Sequence, residues 1–218
     1  MKTMHRVIYA LMALNFIVAA VAVFLAPDQV PVHFGAGGEA DRIAGKYELF
    51  LLPGLTTVIG LALVFTAHRS DSVDGDKLIK ATLVLEVCTT LFGIYMYANA
   101  LSLDGAEPAA SSFNISRGAA LVAGIAIVAC GNFMPKAERN DSFGIRSFWS
   151  LDNEEVWRKS QRFGGYTGIV VGLAIFVCGL ALPVEFIMPA MVVLVLVWAG
   201  SSIVASYVYS RQHDQKRK

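Results

Sequence analysis

Six long apolar runs dictate what this chain can become. They cover Val7–Ala26, Leu49–Ala67, Leu78–Leu101, Gly118–Met134, Gly164–Leu182 and Phe186–Tyr209. The shortest has 17 residues, which as a helix is roughly 26 Å long, close to the thickness of a bilayer's hydrocarbon core. Inside lipid every backbone N–H and C=O needs a partner from the chain itself, and a helix supplies these locally. The runs also lack the alternation of barrel strands. The expected fold is all-α, an integral membrane protein with six transmembrane helices. Hydrophobic residues fill 56% of 218 positions, more than a soluble domain needs.

The loops predict an orientation. With the N-terminus placed inside, fifteen of the 18 lysines and arginines fall on the inner side. Only Arg42, Lys46 and Arg117 fall outside. The positive-inside rule therefore puts both termini in the cytoplasm. "Inner" and "outer" below refer to these two sides. Ala20-Val21-Ala22 resembles a leader-cleavage site, but the apolar run continues to Ala26, which favours a retained anchor.

Two polar loops stand out. The outer one, residues 27–48, is rich in glycine and in both signs of charge. Pro31 restricts Val30 to extended backbone, and Gly35, Gly37 and Gly38 permit tight turning. A compact cap is expected. Asp28, His33, Glu39, Asp41, Arg42, Lys46 and Glu48 read first as an internal ion-pair network and second as a contact surface. His33, Glu39 and Asp41 have no zinc-motif spacing, so no metal is expected. The inner loop, residues 135–163, opens at Pro135. Ser150 reads as an N-cap, with acids Asp152, Glu154 and Glu155 early and bases Arg158, Lys159 and Arg162 late. A short surface helix over Leu151–Arg162 is predicted, with Trp149 and Trp157 at the membrane interface. The chain divides into a three-span region, 1–110, and a second one, 111–218.

Glu86 is an acid well inside the third apolar run. A charge in hydrocarbon is costly, so it should face protein or water. Thr82, Glu86, Thr89, Thr90, Gly93 and Tyr97 fall on one helical stripe. The acid is either protonated and structural or lines a path, and Asn15 is a candidate partner. Gly164, Gly168 and Gly172 suggest close helix packing.

Several functions find no support. The net charge of +1 gives no basis for direct nucleic-acid binding. Cys88, Cys130 and Cys178 are odd in number and sit in apolar runs, against a disulfide framework. No metalloprotease, nucleophile-elbow or phosphate-loop motif occurs, so neither an enzyme nor a cofactor is expected.

Two motif sets carry a family resemblance. Pro31-x-His33-Phe34, Gly38, Asp41-Arg42 and Lys46 resemble the outward loop of a bacterial membrane domain of unknown function. Gly131-Asn132, Asn140, Gly144-Ile145-Arg146, Trp149-Ser150-Leu151, Glu155-x-Trp157 and Gly164 are similar to the signature of the SdpI family. That signature more often has threonine at the position of Ser150. The resemblance implies a multi-pass protein of the bacterial cytoplasmic membrane, without enzymatic activity, that gives immunity to a secreted peptide toxin. It also implies a cytosolic repressor held at the inner face. On this reading Pro31, His33, Gly38, Asp41, Arg42 and Lys46 shape or contact the toxin side. Asn132, Asn140, Arg146, Trp149, Glu155 and Trp157 organise the inner side, and membrane lipid is the remaining partner. Two other readings stay open: a small transporter or channel with a polar path around Glu86, and an envelope protein that acts through interaction alone.

Overall fold

The computed structural model describes residues 2–35, 40–69, 72–101, 114–140 and 143–216. In chain order the elements are α1 (Lys2–Leu25), strands β1 (Gln29–Phe34) and β2 (Ala40–Gly45), α2 (Leu51–Arg69) and α3 (Ser72–Leu101). There follow α4 (Ile115–Phe133), the short α5 (Phe148–Asp152), α6 (Glu154–Ala181) and α7 (Val184–Lys216). Among the described residues six helices are long and apolar enough to cross a membrane: α1, α2, α3, α4, α6 and α7. The protein is an all-α, multi-pass membrane protein, with one two-stranded hairpin as its β structure among the described residues.

The packing follows from lipid as solvent. Large apolar side chains point outward, as with Phe24 at 85% exposure, while the buried positions take many small or polar residues. Helices α1 and α2 pack on α3, α6 packs on α4 and α7, and α3 against α4 joins the two halves. Backbones of α4 and α6 almost touch. A Cβ built on Gly131 would lie 2.7 Å from the Gly165 oxygen, and one on Gly172 would lie 2.8 Å from the Gly124 oxygen. Only glycine permits this approach, and dispersion along the seam replaces the hydrophobic drive that lipid removes. Arg117 closes the outer end of α6, donating from Nη1 to the carbonyl of Gly179 (2.9 Å).

The inner loop departs from expectation. No separate surface helix spans 151–162; those residues belong mostly to α6, which runs unbroken into the membrane. Nothing at Arg162–Gly165 stops it, because Gly164 and Gly165 are packed against Ile145, Met134 and Pro135. Ser150 is not the N-cap. Ser147 caps α5, its hydroxyl accepting from the Ser150 N–H at 3.1 Å. Asn153 caps α6, accepting from the N–H groups of Glu155 (2.8 Å) and Val156 (3.2 Å). Two good caps six residues apart leave room for only a five-residue helix between them.

Candidate functional site

The outer hairpin is built by its own charges. β1 and β2 pair antiparallel, with Pro31 opposite Ile43 and His33 opposite Arg42, and the register is irregular on both sides of His33. Fully buried Val30 anchors the hairpin into a cluster with Ala19, Ala22 and Val23 of α1 and Tyr97 and Ala100 of α3. Lys46 closes the base, 3.1 Å from the Asp28 carboxylate, while its backbone N–H donates to the Asp28 carbonyl at 3.0 Å. Arg42 Nη2 donates to both carboxylate oxygens of Glu48, at 2.8 and 2.9 Å. His33 Nδ1 lies 2.6 Å from Asp41 Oδ1, with the His33 side chain 67% exposed. Gly38 and Glu39 lie outside the described residues, as do most of the Ser102–Ser116 positions. The hairpin thus presents paired charges beside exposed Ile43 and Tyr47, the latter 72% exposed. Sequence reasoning passed over those two residues; their signal was two apolar-faced side chains inside a charged loop.

The inner loop is held by side chain to backbone bonds. Asn140 is buried. Its amide donates to the Glu138 carbonyl (2.7 Å) and its oxygen accepts from the Phe143 N–H (2.7 Å). Gly144 has φ +105°, a conformation that costs other residues steric strain. Beside it, buried Gln161 of α6 accepts from the Ile145 N–H and donates to the Ile145 carbonyl, both at 2.9 Å. One amide side chain thereby completes a backbone segment that no strand pairs. The Ser150 hydroxyl donates to the same Ile145 carbonyl at 2.7 Å, and Ser147 hydrogen-bonds Ser206 of α7.

The two tryptophans do not share a role. Trp157 is fully buried, and its Nε1 donates to the Ala137 carbonyl at 2.8 Å. It is a core residue rather than an interface anchor, because α6 turns that face inward. Trp149 packs edge-on against Tyr207, with ring centroids 5.1 Å apart, and Phe148, 84% exposed, takes the outward position. Glu155 pairs with Lys159 at 2.6 Å. Asn132 and Arg146 are exposed. Arg146 and Trp149 line a cavity of about 600 Å³ between the loop and Trp198, Ser202 and Ile203 of α7. The sequence held a sign of Gln161: Trp157, Ser160, Gln161, Gly164 and Gly168 form one helical stripe, and all are buried.

A third polar group lies mid-helix. Glu86, at the middle of α3, is fully buried. Asn15 of α1 donates to its Oε2 at 3.1 Å. The Thr90 hydroxyl donates to Asn15 Oδ1 (2.7 Å) and shares that proton with the Glu86 carbonyl (2.8 Å). Glu86 Oε1 has no hydrogen-bond partner among the described residues. Gly60 of α2 makes the space: a Cβ there would lie 2.6 Å from Oε1 and 2.5 Å from Met12 Cε. Thr82, Thr89, Gly93 and Tyr97 on the same stripe are buried too.

Comparison with known proteins adds to this geometry. Residues 136–208 match the SdpI/YfhL protein family, and residues 10–57 match a domain of unknown function, DUF1648. "Immunity protein SdpI" of Bacillus subtilis (strain 168) is 26% identical over 209 residues, 95% of this chain and 96% of that protein. An uncharacterized protein of Archaeoglobus fulgidus is 43% identical over 44 residues, 20% of this chain and 24% of that protein. No solved structure matches. The family match lies on the inner loop, α6 and α7, and the similarity to the Bacillus protein runs nearly end to end, so this multi-pass membrane protein is similar to the SdpI family over its second half and to one immunity protein along most of its length.

Proposed function

We propose that this chain is a membrane immunity protein that protects its cell from a secreted peptide toxin. The similarity to an immunity protein over 95% of the chain carries the reading. The outer hairpin supports it. Its charges are internally paired, which holds a defined surface, and Ile43 and Tyr47 stay exposed beside them. Such a surface suits an amphipathic peptide, where apolar contacts supply affinity and charges supply register. On this reading His33, Asp41 and Arg42 contact the toxin, while Pro31 and Lys46 shape the hairpin. The inner loop, pinned to α6 and α7, receives a cytosolic repressor through Arg146, Trp149 and exposed Phe148. Orientation follows the distribution of basic residues. The test is survival. Expressed in a toxin-sensitive cell, the chain should restore growth, and replacement of Ile43 and Tyr47 by serine should reduce that rescue. Unchanged killing at confirmed membrane expression would refute immunity.

A second reading, a transporter or channel, has one observation in its favour: the unpartnered Glu86 Oε1 in mid-membrane. Glu86→Gln separates the two. An immunity scaffold should keep its rescue activity, since glutamine preserves shape and hydrogen bonding. A proton- or ion-linked carrier should lose flux.

A further inference from the structure

The cavity between the inner loop and α7 has a volume of about 600 Å³, within the roughly 300–1,000 Å³ of small-molecule pockets. Ile145, Phe148 and Trp149 of the loop form one wall, and Trp198, Ala199 and Ile203 of α7 form another. The loop wall is fixed in place, because Gln161 holds both backbone polar groups of Ile145 at 2.9 Å.

One bond sets its depth. Trp198 Nε1 donates to the Gly164 carbonyl at 2.9 Å, and Gly164 opens the fifth apolar run, two residues past Arg162. The cavity therefore lies where hydrocarbon gives way to headgroups. Trp149, Trp198 and Tyr207 supply the aromatic rings that this boundary favours. Ala199 and Ile203 are exposed, and Leu196 and Val204 on the same helix face are 65% and 60% exposed. That face meets lipid, so the cavity is continuous with a surface the bilayer already covers.

Two lining residues add polarity to these apolar walls. Arg146 is exposed, and its long stem lets the guanidinium reach the headgroup level. Ser202 is buried, and its hydroxyl has no hydrogen-bond partner among the described residues. A buried hydroxyl left unpaired is costly, so this wall has a donor to offer.

We propose that the cavity seats one phospholipid of the inner leaflet. An acyl chain lies along Trp198, Ala199 and Ile203, the phosphodiester pairs with Arg146, and an ester carbonyl accepts from the Ser202 hydroxyl. A planar guanidinium suits phosphate oxygens, which it can meet with two parallel bonds. The lipid ties the inner loop to α7 beside the Ser147–Ser206 bond. This seat follows from the cavity and the membrane alone and is independent of the immunity reading.

The test strips the full chain of bulk lipid in detergent and titrates it with dioleoylphosphatidylcholine, counting bound molecules by native mass spectrometry. A zwitterionic probe avoids diffuse attraction to the basic inner surface. Wild-type protein should hold one copy. Ala199→Phe, a change on a lipid-exposed face, fills the cavity and should weaken binding about tenfold. Arg146→Gln should weaken it about tenfold, the worth of one charge-assisted hydrogen bond. Dioleoylglycerol, which lacks the phosphate, should bind about tenfold more weakly than the phospholipid and be insensitive to Arg146→Gln. The control Val193→Phe, at a position of α7 that is 58% exposed and outside the cavity lining, should bind like wild type. No retained phospholipid, wild-type binding by Ala199→Phe, or an equal loss in the control would overturn the site. Equal affinity for dioleoylglycerol would overturn the headgroup assignment. A protein dimer in place of the lipid adduct would make this face an interface between copies and overturn the lipid as occupant.

Discussion

Gly144→Ala tests whether the inner loop is held the way the structure describes. Two separate costs are expected. The φ of +105° is outside the range an alanine accepts without strain, which costs about 1–2 kcal/mol. The new methyl would also stand 2.3 Å from Gln161 Oε1 and 2.9 Å from its Cδ. Gln161 is fully buried and cannot swing to solvent, so it must break its two bonds to Ile145, each worth about 1 kcal/mol net. The total is about 3–4 kcal/mol. A double-mutant cycle separates the terms. With Gln161→Ala already in place the clash and the bonds are gone, and Gly144→Ala should then cost only the strain. The coupling between the two substitutions should be about 2 kcal/mol by equilibrium unfolding in mixed micelles. A Gly144→Ala cost that is the same in both backgrounds would show that the Gln161 amide does not organise this turn. A negligible cost in the wild-type background would refute the positive φ as well.

Three further outcomes are expected. Gly60→Ala should destabilise by about 1–3 kcal/mol through overpacking against Met12 and Glu86. By contrast Gly54→Ala, with nothing within 4 Å of its Cβ, should be neutral or slightly stabilising in the same melts. Trp157→Phe should cost about 2–3 kcal/mol, since it strands the Ala137 carbonyl and leaves a void in a fully buried site; a loss under 0.5 kcal/mol, on the order of a surface change, would place the ring outside the core. A cysteine at Tyr47 should react with a membrane-impermeant maleimide on intact cells while one at Phe148 reacts only after lysis, and the reverse pattern would invert the topology.

Different physical scales decided different features of this protein. The span count was legible because the bilayer imposes a length and a polarity on any crossing segment, and both are local properties of the sequence. The inward stripe of α3 was legible for a related reason: Glu86 and the threonines around it repeat at the helical period, and lipid rejects them. Sequence also pointed to the Gly144, Asn140 and Trp157 neighbourhood, but as a resemblance without a cause. The causes are long-range. Gln161 reaches back sixteen residues to Ile145, Ser147 meets Ser206, and Trp157 finds the Ala137 carbonyl only because α6 continues past Gly164 without a break. The predicted surface helix and the Ser150 cap failed at this point. Serine, asparagine and acids all favour a helix start, and local propensity could not choose among Ser147, Ser150 and Asn153. Likewise the outer loop's composition pointed to paired charges but not to the hairpin register that sets His33 beside Asp41 and Arg42 beside Glu48, with Val30 buried in a cluster of α1 and α3 residues. Solvent polarity along the chain determined how many times it crosses; only packing between distant segments decided which polar atoms find each other, since a buried hydrogen bond is fixed by where two backbones meet rather than by either one alone.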